Sequence, residues 1–183
     1  MHKKAKYSIC AVEGKGYDAD AVAIEVPYKD RRLSMIFILP NKKDGLPKLE
    51  ENYEKLQFTG MDGMRWNERT VDVAIPKFKA ESTHDLEQPL KSLGLEHMFD
   101  PNKADFSGIT GHKDLVVSKV IQKAFIEVNE EGSEAAAATS VLMLTKSIVR
   151  DPQFICDHPF LFLIRDNYTG VIMFSGKVTD PTA

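Results

Sequence analysis

Glu130-Glu131-Gly132-Ser133-Glu134-Ala135-Ala136-Ala137-Ala138-Thr139 is the stretch on which the reading of this chain turns. Alanine and glutamate favour helix, yet the residues before the stretch are patterned as strand. Over residues 116–129 one face collects Val116, Ser118, Val120, Gln122, Ala124, Ile126 and Val128, and the other collects Lys119, Ile121, Lys123, Phe125 and Glu127. That is the period of two a pleated strand imposes. The alanine run therefore leaves a strand directly. Beyond it, residues 140–151, with Lys146 and Arg150, lead through Pro152 into another β-rich block. A segment tethered at both ends by sheet, with almost no side-chain bulk, has what insertion into a host sheet requires. Ser133, Ala135, Ala137 and Thr139 share one face, all small and uncharged, while Glu134 points the other way, where its charge stays hydrated. Before any insertion the same alanines also suit an exposed helix.

Four blocks, in order along the chain, resemble the serpin family. The quoted stretch resembles the reactive-loop hinge of inhibitory serpins, and Ala104-Asp105-Phe106-Ser107-Gly108-Ile109-Thr110 the segment before strand five of their main sheet. Phe154-Ile155-Cys156-Asp157-His158-Pro159-Phe160-Leu161-Phe162 is similar to the block after the loop, and Ile172-Met173-Phe174-Ser175-Gly176-Lys177-Val178 to the closing strand. The resemblance runs over essentially the whole chain but matches only the C-terminal half of a serpin. It implies an α+β, β-rich fold of mainly antiparallel sheets with a few short helices. Residues 1–183 would be the C-terminal part of a single serpin domain whose N-terminal half is absent, with a reactive-centre loop over roughly 130–152.

The resemblance also implies a function without enzymatic chemistry. A serine endopeptidase would attack the exposed loop and acylate the residue before the cut, and the freed loop would insert as a strand, trapping the protease. Counted on from Gly132 as hinge glycine, the family's usual spacing places the bait at Lys146, with Ser147 next. A lysine there suits a trypsin-like protease, whose specificity pocket carries a carboxylate. Arg150 is the alternative, and Met143 or Leu144 would instead imply chymotrypsin-like or elastase-like targets. The competing readings are a non-inhibitory serpin, for which a bulky or charged hinge is expected, and an inactive fragment. No cofactor is implied, and the full-length form would be a monomer. The chain departs from the family at Gln122, where serpins commonly carry a histidine; glutamine still donates and accepts hydrogen bonds but takes no positive charge.

Composition bounds the remaining classes. With 183 residues and 43% hydrophobic content the chain is long enough for a real core, and a net charge of -3 offers nothing to nucleic acid. His2-Lys3-Lys4, Lys6 and Arg31-Arg32 would provide at most a weak glycosaminoglycan contact. Cys10 and Cys156 lack the spacing of a zinc or redox site and read as two free, buried thiols. The five histidines show no metal spacing, with His158 read as a packed or capping side chain, and no apolar run is long enough for a membrane helix. Asp105-Phe106-Ser107-Gly108 reads as a turn and cap rather than a nucleophile elbow. Asn167-Tyr168-Thr169 is an N-glycosylation pattern on a hairpin turn, which together with the resemblance implies a secreted, extracellular protein.

Period and turn chemistry set the element order: strands over 7–12, 21–28 and 33–39, turned at Gly14, Gly16 and Lys29-Asp30, the third apolar on both faces as a central strand would be. Next come an amphipathic helix over 46–56, a strand over 69–75 continuing after Pro76, and a helix capped by Thr83 and stopped at Gly94. Strands follow over 116–129, 153–156, 159–165 and 171–178. The resemblance places the first three strands and the last two in one sheet, with the final hairpin in the core.

Overall fold

A computed structural model describes residues 1–14, 17–51, 65–129 and 151–180. The chain divides into two compact units, Met1–Phe78 with Val128–Ala183, and Lys79–Glu127.

The first unit is built on a seven-stranded sheet of order β7-β4-β1-β2-β3-β8-β9. Its strands are β1 (His2–Gly14), β2 (Tyr17–Pro27), β3 (Leu33–Pro40), β4 (Asn67–Ala74), β7 (Gln153–Ile155), β8 (Phe160–Asp166) and β9 (Ile172–Val178). Every pairing is antiparallel except β4 with β7, which is parallel. β1 is long enough to serve two neighbours in succession: His2–Ile9 face β4, and Ser8–Gly14 face β2.

β3 and β8 lie side by side near the middle of the core and are buried on both faces, as the doubly apolar pattern of β3 anticipates. Period two sends Ile36 and Ile38 with Leu161 and Leu163 to one face, where they meet Cys10, Val12, Ala21, Ala23, and Leu46 and Leu49 of the short helix α1 (Leu46–Glu51). The opposite face is aromatic. Phe37 and Phe160 stack edge to face at 5.9 Å, Phe160 meets Phe78 at 5.8 Å, and Phe78 tilts onto Phe162 at 5.3 Å. Such offset and edge-on contacts suit the quadrupoles of the rings. Gly176 of β9 is the cross-strand partner of Phe162, and a Cβ at that position would lie 2.5 Å from the ring tip. The glycine makes room for the ring.

One expectation changes here. β8 is in the core, but β9 is the edge strand, and Met173 and Phe174 are exposed, so the final hairpin is only half buried. The helix over 46–56 is described through Glu51, with Leu46 and Leu49 buried as its spacing requires, and its remainder lies outside the described residues.

The second unit carries a two-stranded sheet of β5 (Phe78–Asp85) and β6 (Ile121–Val128), the helices α2 (Glu87–Ser92) and α3 (Ser107–Thr110), and a 3-10 turn at His97–Phe99. Thr83 does not cap α2; it lies inside β5, where a β-branched residue is at home. Asp85 supplies the acceptor instead, taking the amide of Glu87 on Oδ1 at 3.1 Å, and Gly94 ends the turn at φ +89. β6 is shorter than the 116–129 pattern because flanking backbone groups are used elsewhere: the amide of Val117 donates to Met98 O at 2.9 Å, and Val120 O accepts from Leu86 N at 2.9 Å. Asp105 accepts both the amide and the hydroxyl of Ser107, at 3.2 and 2.7 Å, which makes this stretch the turn and cap its sequence suggests. Those two bonds and one from Lys113 pull its carboxyl down to about 2, the lysine contributing most.

Candidate functional site

The segment that decides the reading lies between β6 and β7. The hinge residues Glu130, Glu131, Gly132, Ser133, Glu134, Ala135, Ala136, Ala137, Ala138 and Thr139, the bond Lys146–Ser147, and Met143, Leu144 and Arg150 all lie outside the described residues. What the structure supplies is the two ends that hold this segment.

The downstream end is fixed in four ways. Asp151 accepts from Lys4 Nζ at 2.6 Å, which holds that ammonium above its ordinary value, chiefly through the hydrogen bond. Pro152 has no N–H, but its carbonyl accepts the amide of Asp72 at 3.0 Å. β7 then runs parallel to β4 for three pairs, Gln153, Phe154 and Ile155 against Asp72, Val73 and Ala74. Alternation puts Phe154 inside at 1% exposure while Ile155 stays 43% exposed. Cys156 closes the ladder, its amide donating to Ala74 O at 2.9 Å. After it His158 bridges to β3, with Nδ1 2.6 Å from Asp157 Oδ1 and Nε2 2.7 Å from Pro40 O. His158 is thus packed and bonded on both ring nitrogens.

The upstream end is β6 in the second unit. Glu127 pairs with Lys79 of β5 at 3.3 Å, and just before the strand Lys119 pairs with Asp85 at 3.4 Å. Gln122, the departure from the family pattern, is exposed on β6, as are Ile121 and Phe125.

Asn167 is described, and its surroundings are specific. Its amide donates to Arg32 O at 2.7 Å, and its Nδ2 donates to Arg31 O at 3.0 Å and to Ser34 Oγ at 2.7 Å. Beside it, Asp166 accepts from the amides of Tyr168 and Thr169 at 2.9 and 3.0 Å and from Arg32 Nε at 3.2 Å. Those donors, the Thr169 amide foremost, hold the Asp166 carboxyl below the ordinary carboxylate range. The β2–β3 and β8–β9 turns are thereby clasped together.

Cys10 and Cys156 are buried thiols, neither joined in a disulfide. Burial pushes their thiols up to about 11 and about 12, with the Asp157 charge adding to the effect at Cys156. Neither is a thiolate nucleophile at neutral pH. Among the described residues no cluster of three or more His, Cys, Asp or Glu could hold a metal, and no helix is long and apolar enough to cross a membrane.

Sequence reasoning missed Lys4, Asp151 and the acceptors of His158. Asp151-Pro152 before a short alternating run is a local trace of an anchored edge strand, whereas the contacts of Lys4 and Pro40 span most of the chain and leave no local pattern.

The class defined by this arrangement is a β-rich α+β chain whose alanine-rich stretch falls, in sequence, between β6 of one sheet and β7 of the other. The chain belongs to the serpin family: the family model for serpins, serine protease inhibitors, matches residues 1–181. Human Serpin B3 is 47% identical over 168 residues, which are 90% of this chain and 42% of that protein. Human leukocyte elastase inhibitor is 38% identical across 99% of this chain and 48% of its own length. Among solved structures, uncleaved ovalbumin matches with a TM-score of 0.73 at 27% identity, over 97% of this chain and 43% of that one. The chain thus spans about half the length of the relatives it matches. Its family is one of inhibitors and not of enzymes.

Proposed function

We propose that the protein of which this sequence forms part inhibits a serine endopeptidase as a suicide substrate, by cleavage of the segment 130–150 and its insertion as a strand. The carrying observation is the face Ser133, Ala135, Ala137 and Thr139, small and uncharged throughout, in a chain of the serpin family. Support comes also from the firm seating of the downstream end, through Lys4–Asp151 and the buried Phe154, which leaves the segment held on both sides of a cut. Lys146 with Ser147 directs the reading to a trypsin-like partner, and residues 1–183 are read as part of one serpin domain.

An extracellular setting rests on the Asn167 triplet and the resemblance. Glycan attachment there would replace one Nδ2 hydrogen and so remove one of the two bonds that Nδ2 donates in the turn clasp. A glycosaminoglycan contact gains little, because His2, Lys4 and Arg32 each face a carboxylate. A second reading, a chain inert by itself, is favoured by its spanning less than half of Serpin B3.

The test is incubation with trypsin of a serpin of full family length that ends in these 183 residues. The expected product is an SDS-resistant complex whose released peptide begins at Ser147. Cleavage there with no complex would turn the reading to a substrate, and cleavage elsewhere would move the bait.

A further inference from the structure

His158 lies in the connector 156–159 between β7 and β8, with its side chain only 11% exposed. Its Nδ1 is 2.6 Å from Asp157 Oδ1, and its Nε2 is 2.7 Å from the carbonyl oxygen of Pro40, the last residue of β3. A carbonyl only accepts, and so does an ionised carboxylate. A neutral imidazole owns a single N–H and satisfies one of the two. Asp157 is the ionised partner: the hydrogen bond from His158 holds its carboxyl below the ordinary range, and Lys43, 3.9 Å away, acts in the same direction.

From these distances we propose that His158 joins Asp157 to Pro40 as a doubly protonated ring, a proton-dependent pin that fixes the entry to β8 against the end of β3. Loss of either ring proton removes one of the two bonds and frees one side of the connector. The charged and titratable neighbours are few among the described residues. On the connector itself stand Asp157 and the Cys156 thiol, the latter pushed up to about 12 and so neutral. On the chain after β3 stands Lys43, and from β2 Asp20 takes the side chain of Asn41, next to Pro40, at 2.6 Å.

The pin sits two residues beyond the amide that closes the β4–β7 ladder, Cys156 N to Ala74 O. Its state therefore sets how firmly β7 is held, whether or not any protease cuts the segment before it.

The test is made on the 15N-labelled 183-residue chain. Long-range proton–nitrogen correlation reads the His158 ring while amide exchange, corrected for its intrinsic pH dependence, reads Cys156. Both ring nitrogens are expected in the N–H form while the Cys156 amide is protected. As the ring loses a proton, Cys156 exchange is expected to accelerate roughly tenfold, about the worth of a hydrogen bond to a charged group. In His158→Gln that step should vanish. A single-N–H ring beside a protected Cys156 would overturn the proposal, as would the same step in His158→Gln. Should the variant not fold, the ring nitrogens of the unmutated chain decide the question alone.

Discussion

Replacing Gly176 by alanine should destabilise the first unit through one identifiable clash. The added Cβ would stand 2.5 Å from Cζ, 2.8 Å from Cε1 and 3.2 Å from Cε2 of Phe162, where carbon atoms pack at about 3.5–4.0 Å. The ring has little freedom to withdraw. It rests on Phe78 at 5.3 Å, Phe78 on Phe160 at 5.8 Å, and Phe160 on Phe37 at 5.9 Å, all four rings buried. Overpacking of this kind costs about 1–3 kcal/mol, offset by about 0.5–1 kcal/mol because alanine loses less backbone entropy in a strand than glycine. A net loss of up to about 2.5 kcal/mol corresponds to a fall in Tm of up to about 10 °C for a chain of this size. Thermal unfolding followed by circular dichroism measures it. Trimming the ring in the double variant Gly176→Ala with Phe162→Leu should recover most of the clash, so the two substitutions should be non-additive by about 1–2 kcal/mol. A Gly176→Ala protein that melts at or above the parent, or an additive cycle, would refute the packing argument.

Both thiols, buried and raised to about 11 and about 12, should resist iodoacetamide at pH 8 in the folded chain and react in denaturant; modification of either in the native state at the rate of a free thiol would contradict their placement. The Asp166 carboxyl lies below its ordinary value of 3.8, so the stability it lends the turn clasp is present above that value and lost as pH falls through the lower folded one. Protection of the Tyr168 and Thr169 amides, corrected for the intrinsic pH dependence of exchange, should therefore fall on acidification, and Asp166→Asn should flatten the profile; an unchanged profile in the variant would count against the clasp. In the full-length serpin, Ala137→Glu should turn inhibition into simple cleavage, because a charge would then face inward on insertion; an unaltered stoichiometry of inhibition argues against insertion by that face.

How far the fold could be read in advance depended on the reach of the interaction concerned. The doubly apolar run of β3 announced a central strand, and the alternation of Val71 and Val73 announced β4, because burial imposes a period on neighbouring residues. Thr83 misled because Ser, Thr and Asp share capping chemistry; pairing of β5 with β6 carries the strand two residues further, to Asp85. The 116–129 pattern overran for a related reason: alternation continues through residues whose backbone groups bond to Leu86 and Met98. At the candidate site the proposed hinge and bait, both outside the described residues, were read from short-range composition and a count. The anchors were not, since Lys4 meets Asp151 and His158 meets Pro40 across most of the chain.

The sharing of β1 has a mechanical consequence. Only Ser8 and Ile9 appear in both of its ladders, so the hydrogen-bonded ladder of β4 and β7 joins that of β2, β3, β8 and β9 through two residues of β1. Tension applied at Asp151 would meet the Lys4 ion pair and the three β7 rungs, and would then pass along the backbone through the His158 connector into β8, leaving the eight rungs of β4 against β1 unloaded. Force would thus peel β7 alone, and the load would come to rest on β8, a strand bonded to a neighbour on each side.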